Sequence, residues 1–458
     1  MKKVLLISAN QEKVPYPVAP IGLLYVANAL KKAKFDVSIL DLCFSGNTND
    51  DIKKTIKQRE PDFIGVSLRN VDNLTFPRSV SYLPAIKKII KTTRRYTDAP
   101  LVLGGSAFSL FPKQILSYLG CEWGIVGEGE EAFVNLLKQL NAEANNLNTI
   151  NNLVWRQDSR INSNPASCLR SPFDFVLDYG LINNYLYANF AGMMNVQTKR
   201  GCRFKCSYCT YPSIEGKSYR LRSPAIIAQE VSLLQKKYAI PHVFFVDDVF
   251  TYPANHALLV CEALLSKNIK MPWSCFASPY GITKKLLMFM KKAGCTHIEF
   301  GSDALSNRVL KKLRKPFAVQ DVLKASSLCK EIGIKCAHYI IFGAPGENDD
   351  TLREGFATIR KLHGDAIIAM VGIRIYPGTE LENLSIHDGV ISKQTDLLFP
   401  HFYLSRELPT NKLLEKVAKF ARENSSCIVP GLEIRSSEKM YAVLRKHYHQ
   451  GPLWGYLG

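Results

Sequence analysis

The run Arg200-Gly-Cys-Arg-Phe-Lys-Cys-Ser-Tyr-Cys-Thr-Tyr-Pro212 sets Cys202, Cys206 and Cys209 at C-x3-C-x2-C spacing. Three thiolates on one loop can hold a 4Fe–4S cube by three corners and leave the fourth iron open to another ligand. A zinc site normally closes with four ligands in paired spacing, and an electron-transfer cluster takes four cysteines. Either alternative needs a ligand from far away; Cys168 and Cys261 are the nearest in sequence.

Such a loop needs elements to position it. From Val196 onward, apolar runs alternate with amphipathic stretches. Strands are predicted at Val196–Lys199, Val243–Asp247, Trp273–Ala277, Thr296–Gly301, Ala337–Phe342 and Ile367–Ile375, and helices at Pro224–Tyr238, Ala254–Leu265, Lys284–Ala293, Val319–Glu331 and Asp350–Leu362. These β/α units fit a partial, open (β/α)6 TIM-like barrel, with site loops at the strand carboxyl ends. The preceding segment alternates in the same way. Strands are predicted at Val4–Ser8, Val37–Leu42, Phe63–Leu68, Leu101–Gly105 and Trp123–Gly127, and helices at Ile21–Lys32, Asp51–Lys57, Ser79–Arg95, Pro112–Leu119 and Glu130–Leu140. That is the pattern of an α/β, doubly wound parallel sheet.

Doubly wound sheets bind ligands beyond their strand carboxyl ends. Ser67, Arg69, Gly104, Gly105, Gly127, Glu128 and Gly129 stand there and are the candidate ligand contacts. Small residues admit a ligand close to the backbone; the same glycines could also simply shape tight turns. The first histidine of the chain is His242, so the first domain has no imidazole to offer a metal.

The cysteine loop resembles that of the radical S-adenosylmethionine (SAM) enzymes. The preceding doubly wound domain, with Pro20-Ile-Gly-Leu-Leu-Tyr25 and Gly127-Glu-Gly-Glu-Glu-Ala-Phe133, is similar to the cobalamin-binding branch of that family. The resemblance implies a cluster whose open iron is chelated by SAM, one-electron cleavage of SAM to a 5′-deoxyadenosyl radical, and cobalamin as methyl carrier. With no histidine in the first domain, cobalamin is expected base-off, without an imidazole from that domain. The family's SAM contacts map onto Tyr208, just before the third cysteine, and onto Asp247 or Asp248 in Phe244-Phe-Val-Asp-Asp-Val-Phe250. They also map onto Ser302 and Asp303 in Ile298-Glu-Phe-Gly-Ser-Asp303, onto Gly343 in Phe342-Gly-Ala-Pro-Gly-Glu347, and onto Arg374 in Arg374-Ile-Tyr-Pro-Gly-Thr379. Tyr211-Pro-Ser-Ile-Glu-Gly216 is similar to a subgroup associated with lipid biosynthesis. The implied reaction is methylation of an unactivated carbon of an apolar, lipid-like substrate. Radical cyclisation or carbon–carbon coupling without methyl transfer is the alternative. RNA methylthiotransferases share the loop but carry a second cluster in the first domain, where this chain has only Cys43 and Cys121.

The chain of 458 residues is 47% hydrophobic, enough for more than one core. The expected division is a cobalamin-binding domain at 1–145, a linker at 146–190, the barrel at 191–384 and a C-terminal region at 385–458, with helices at Asn411–Arg422 and Glu438–Tyr448. No apolar stretch reaches the roughly eighteen residues of a membrane span. The N-terminal run lacks a cleavage site and reads as a buried strand, so the twelve cysteines are expected in a reducing cytoplasm. The net charge of +19 is mostly dispersed over helix faces, and no nucleic-acid partner is expected. Near the cysteine loop, Lys199, Arg200, Arg203, Lys205, Lys217, Arg220 and Arg222 form a basic rim suited to an acidic flavodoxin or ferredoxin as electron donor.

Overall fold

Val4 to Ser8 are buried along their whole length, which marks a strand covered on both faces. In the computed structural model, which describes residues 1–142, 146–169, 173–191, 193–448 and 450–456, this run is β1 (Lys3–Ser8). It is followed by α1 (Ile21–Lys32), β2 (Asp36–Asp41), α2 (Thr48–Arg59), β3 (Phe63–Ser67), α3 (Leu83–Arg94), β4 (Leu101–Gly104), α4 (Ser106–Leu110), α5 (Pro112–Leu119), β5 (Trp123–Ile125) and α6 (Glu130–Asn141). The sheet order is β2-β1-β3-β4-β5, all parallel. Helix α3 begins later than expected because Asp72 and Ser81 form a bridge and Tyr82 N–H donates to the Val71 carbonyl at 2.8 Å.

The stretch at 146–190, expected as a linker, contains structure. β6 (Leu153–Gln157) and β7 (Arg160–Ser163) form a hairpin antiparallel to β5. Leu153, Val154 and Trp155 are buried, and the hairpin covers what would be an open sheet edge. Farther on, Phe173, Leu177, Tyr179 and Tyr187 enter the core of the second domain, Tyr187 from α7 (Asn184–Ala191).

The second domain runs through β8 (Met193–Val196), β9 (Lys199–Arg200), α8 (Tyr211–Ile214), β10 (Arg220–Leu221), α9 (Pro224–Tyr238), β11 (His242–Phe245), α10 (Ala254–Ser266), β12 (Trp273–Ala277), α11 (Lys284–Lys292), β13 (Cys295–Asp303), α12 (Asn307–Lys312), α13 (Val319–Ile332), β14 (Lys335–Phe342), α14 (Asp349–Ile359) and β15 (Ala366–Val371). The tail adds β16 (Ile373–Arg374), α15 (Glu380–His387), β17 (Phe402–Tyr403), α16 (Thr410–Glu423), β18 (Cys427–Ile428) and α17 (Glu438–His447). The sheet is an open parallel array, β8-β11-β12-β13-β14-β15-β18. Its seventh strand comes from the tail and was not foreseen: at two residues it is too short for periodicity to register.

Two strand boundaries differ most from expectation. The first barrel strand ends at Val196, because Thr198 and Lys199 turn their backbone N–H groups toward the Asp247 carboxylate, at 2.6 and 3.2 Å. The last ends at Val371, because Gly372 takes φ +70°. The domains share a core: Leu24 and Tyr25 of α1 pack with Met194, Val196 and Phe245 of the barrel. Among the described residues no helix is long and apolar enough to cross a membrane.

Candidate active site

A cavity of about 690 Å3 lies between the carboxyl ends of the first sheet and the barrel. Ser67, Arg69, Gly104, Gly105, Gly127, Glu128 and Gly129 all border it. Their roles divide. Gly105 takes φ +95°, and a Cβ there would stand 2.4 Å from the Leu68 carbonyl oxygen, so the backbone itself demands glycine. Gly104 and Gly22 are different. A Cβ on Gly104 would meet only the Ile125 carbonyl, at 3.9 Å, and one on Gly22 would meet nothing within 4 Å. The space they leave open belongs to the cavity, as a bulky ligand requires.

Glu128 borders the cavity but is also engaged by the protein itself. Its carboxylate takes Arg220 at 2.7 Å, Arg200 at 3.2 Å and the Leu169 N–H at 2.7 Å. Burial would raise this carboxyl, but Arg220 and Arg200 outweigh burial and hold it below the ordinary range. Glu128 ties the two domains together and has little left to offer a ligand.

The cysteine loop leaves β9 and is held by its backbone. Cys202 N–H donates to the Gly216 carbonyl at 3.1 Å, and Ser207 N–H to the Leu313 carbonyl at 3.1 Å. Gly201 takes φ +88°, with the Ser218 carbonyl where a Cβ would be. Phe204, Tyr252 and Tyr280 form a mutual aromatic cluster with centroids 5.5–5.6 Å apart, and Tyr219 joins it 5.8 Å from Tyr252. Burial pushes the Cys202 thiol up to about 11 and the Cys209 thiol up to about 12, and raises Cys206. A metal's own charge must therefore displace these protons. Among the described residues no group of three or more His, Cys, Asp or Glu side chains is arranged to hold a single metal ion. Cys261 is buried in the barrel core, and Cys168 is exposed against Gly216. Neither completes a zinc set. The three loop thiols and the unpartnered carboxylate beside them suit a cluster with one open corner.

That carboxylate is Asp248. Its Oδ2 is buried without a hydrogen-bond partner. Burial, then the neighbouring Glu215 and Asp247, push its carboxyl well above the ordinary range. Asp247, the other candidate for the same role, is fully engaged: it accepts from Thr198 N, Thr198 Oγ1, Lys199 N and, at 2.9 Å, Lys199 Nζ. Asp247 therefore builds the turn into the cysteine loop, and Asp248 is the carboxylate whose Oδ2 is left without a hydrogen-bond partner.

The remaining SAM candidates sort in the same way. Tyr208 donates to Asp303 Oδ2 at 2.5 Å, and Lys315 Nζ lies 2.6 Å from the same oxygen. The three form a buried polar group directly beside the cysteine loop. Ser302 faces away, hydrogen-bonded to His338 Nδ1 at 2.8 Å. Gly343 faces the tail, where a Cβ would stand 2.9 Å from Leu413. Arg374 is spent on Asp72 Oδ2 at 2.9 Å and on the Ile375 and Leu397 carbonyls. All three are tied into the fold by these contacts. Sequence reasoning missed Lys315, which lies in a helix-end run with no motif to mark it. It also misread the basic rim. Lys199, Arg200, Arg220 and Arg222 are in buried or half-buried ion pairs with Asp247, Glu128, Glu130 and Glu230, which leaves Arg203, Lys205 and Lys217 exposed.

The chain matches the B12 binding domain over residues 7–137 and the radical SAM superfamily over residues 196–358. An uncharacterized methyltransferase of Pyrococcus horikoshii is 26% identical over 399 residues, 85% of this chain and 84% of that protein. The hopanoid C-3 methylase of Methylococcus capsulatus is 26% identical over 384 residues, 80% of this chain and 69% of that protein. The radical SAM methyltransferase TsrM of Kitasatospora setae, solved with cobalamin and a [4Fe-4S] cluster, superposes with a TM-score of 0.87 at 21% identity, over 100% of this chain and 98% of that one. The chain thus joins a B12-binding domain to a radical SAM domain, with a three-cysteine loop at the mouth of an open barrel and a histidine-free doubly wound domain facing it, a pairing that implies a 4Fe–4S cluster, SAM and cobalamin.

Proposed function

We propose that this enzyme methylates an unactivated carbon of a small substrate with an apolar body. One observation carries the reading. The cavity bordered by the first domain's Ser67 and Gly104 also reaches Thr210 and Tyr211, the two residues after Cys209, so both cofactor regions open onto one chamber. When bound, the cluster with SAM supplies one-electron chemistry and cobalamin supplies a methyl carrier. The chain's own tasks are to hold and to position. Cys202, Cys206 and Cys209 would hold the cluster, and Asp248 offers a carboxylate to the amino group of SAM. Tyr208, Asp303 and Lys315 would order its nucleoside side. Phe204, Tyr219, Tyr252 and Tyr280 brace the loop by aromatic packing, and close positioning does the rest. The cavity wall of Phe244, Phe276 and Val246 supports an apolar body. A lipid-like one is consistent with the hopanoid methylase as a relative.

We assign the exposed Arg203, Lys205 and Lys217 to docking of flavodoxin or ferredoxin, and place the enzyme in a reducing cytoplasm, which its twelve free thiols support. Reduction by flavodoxin should slow as salt rises; a salt-independent rate removes the docking assignment. The function itself is tested on protein purified without oxygen and reconstituted with iron, sulfide and hydroxocobalamin. Electron paramagnetic resonance should show five-coordinate base-off cob(II)alamin without nitrogen splitting. Cobalt left free in solution while a cluster signal develops would end the methyl-transfer reading.

A further inference from the structure

The barrel lumen holds a second polar centre, below the chamber's mouth. Glu299 of β13 is fully buried. Its Oε1 accepts the indole N–H of Trp454 at 2.8 Å, and its Oε2 accepts the Tyr339 hydroxyl at 2.9 Å. Tyr16, from the loop between β1 and α1, lies against the same carboxylate. All three neighbours are neutral, and among the described side chains no cation is paired with it. Burial pushes this carboxyl above the ordinary range, and the three donors only partly offset that.

Tyr16 and Tyr339 border the cavity, together with Phe244 and Phe276. Phe276 lies 4.8 Å from Phe244 and 6.5 Å from Tyr339, centroid to centroid. A phenol has one proton to give. Tyr339 gives its proton to Glu299, so the oxygen it shows to the cavity can only accept, and the carboxylate behind it strengthens that acceptance. The flanking ring faces favour positive charge. A purely apolar end placed on this floor would leave polar groups unpaired.

We propose that this floor selects the substrate: the molecule methylated carries a protonated amine, seated on the Tyr339 and Tyr16 oxygens above Glu299, with its apolar body along Phe244 and Phe276. The assignment rests on the reading of the cavity as the substrate chamber. Trp454 is a positioning residue in it. The segment Leu453–Tyr456 packs on the barrel, with a Cβ on Gly455 only 2.6 Å from His297 Nε2, and so fixes the indole beneath Glu299.

The test uses holoenzyme reconstituted with cluster and cobalamin and three matched probes: 2-phenylethylamine, 3-phenylpropanoate and ethylbenzene, read by ligand-observed NMR. The amine should bind about tenfold or more tighter than the other two, the size of one charge-assisted hydrogen bond. E299Q should reduce that preference to about threefold or less, with cobalamin retained. If E299Q does not fold, Y339F, which keeps the carboxylate buried, should lower the amine's affinity and spare ethylbenzene. Equal or reversed preference, or no binding of any probe to holoenzyme that holds its cobalamin, overturns the assignment. Absorbance of the same sample reports cobalamin uptake. A preparation that takes up none refutes the chamber reading and this assignment with it.

Discussion

Arg200, two residues before Cys202, lies 2.7 Å from Glu130 at the start of α6, with side chains only 7% and 9% exposed. Its guanidinium also stacks over Phe173 at 4.1 Å and Tyr25 at 4.5 Å. The base of the cysteine loop is thereby fixed to the first domain by a buried charge pair. The separation between the two cofactor regions is a property of the fold, not of a flexible hinge.

Arg200→Met tests that rigidity. Removing one partner of a buried pair typically costs about 3–5 kcal/mol, because the other charge stays buried alone. Here two carboxylates, Glu128 and Glu130, would lose Arg200. Denaturant melts should show a loss of that order. A loss below about 1 kcal/mol, the scale of an exposed pair, would mean the domains are held by apolar contact alone.

Asp247 and Asp248 are adjacent in sequence, and their variants should behave oppositely. Asp247→Asn breaks a fully satisfied buried network, so it should lower the melting temperature and scatter the cysteine loop. Asp248→Asn removes a carboxylate that the fold strains to bury. A carboxyl whose folded pKa is raised takes stability away as pH rises, so the Asn variant should melt no lower than wild type at pH 7.5. Its SAM affinity should fall about tenfold or more, the size of a charge-assisted hydrogen bond. Equilibrium dialysis of SAM with a parallel thermal melt checks both halves. A stable variant with unchanged SAM affinity would remove Asp248 from the site.

The cysteine spacing and the alternation of apolar and amphipathic runs made the three-cysteine loop and both sheets legible. Spacing along one loop is local, and continuous apolar runs follow directly from two-sided burial. Which carboxylate or arginine was free could not be read. Asp247, Arg374 and Glu128 stand at motif positions, yet each is consumed by partners far away in sequence: Lys199, Asp72 and Arg220. Lys315 and Trp454 failed to register for the converse reason. Each acquires its role only through a contact, with Asp303 and Glu299, that tertiary folding creates.

Gly104 and Gly105 are neighbours with different duties. Gly105→Ala puts a Cβ 2.4 Å from a carbonyl oxygen at positive φ, so it should destabilise the first domain itself. Gly104→Val fills open cavity, so it should leave the unfolding free energy of the cofactor-free protein within about 1 kcal/mol of wild type, while retention of cobalamin after gel filtration falls severalfold. Normal retention by the Gly104 variant would place cobalamin elsewhere in the cavity.

Glu347 gives the fold a pH dependence of its own. It closes the turn after β14 by accepting the Gly343 N–H, and the same turn holds the tail through Ser405, whose hydroxyl donates to the Glu347 carbonyl at 2.6 Å. Burial pushes its carboxyl up to about 7, and the single N–H bond only partly offsets that. An unfolded glutamate titrates near 4.3. The folded state therefore binds this proton more tightly than the unfolded chain. The stabilising contribution is complete below about pH 4 and is lost as pH rises through about 7. At one pKa unit per 1.36 kcal/mol, the full swing is roughly 4 kcal/mol. Melts at pH 5.5, 7 and 8.5 should show stability falling across this window, and Glu347→Gln, which keeps an acceptor for Gly343 but cannot ionise, should flatten that part of the fall. Parallel slopes for the two proteins would show that Glu347 ionises freely, and that the turn joining barrel to tail is open to water.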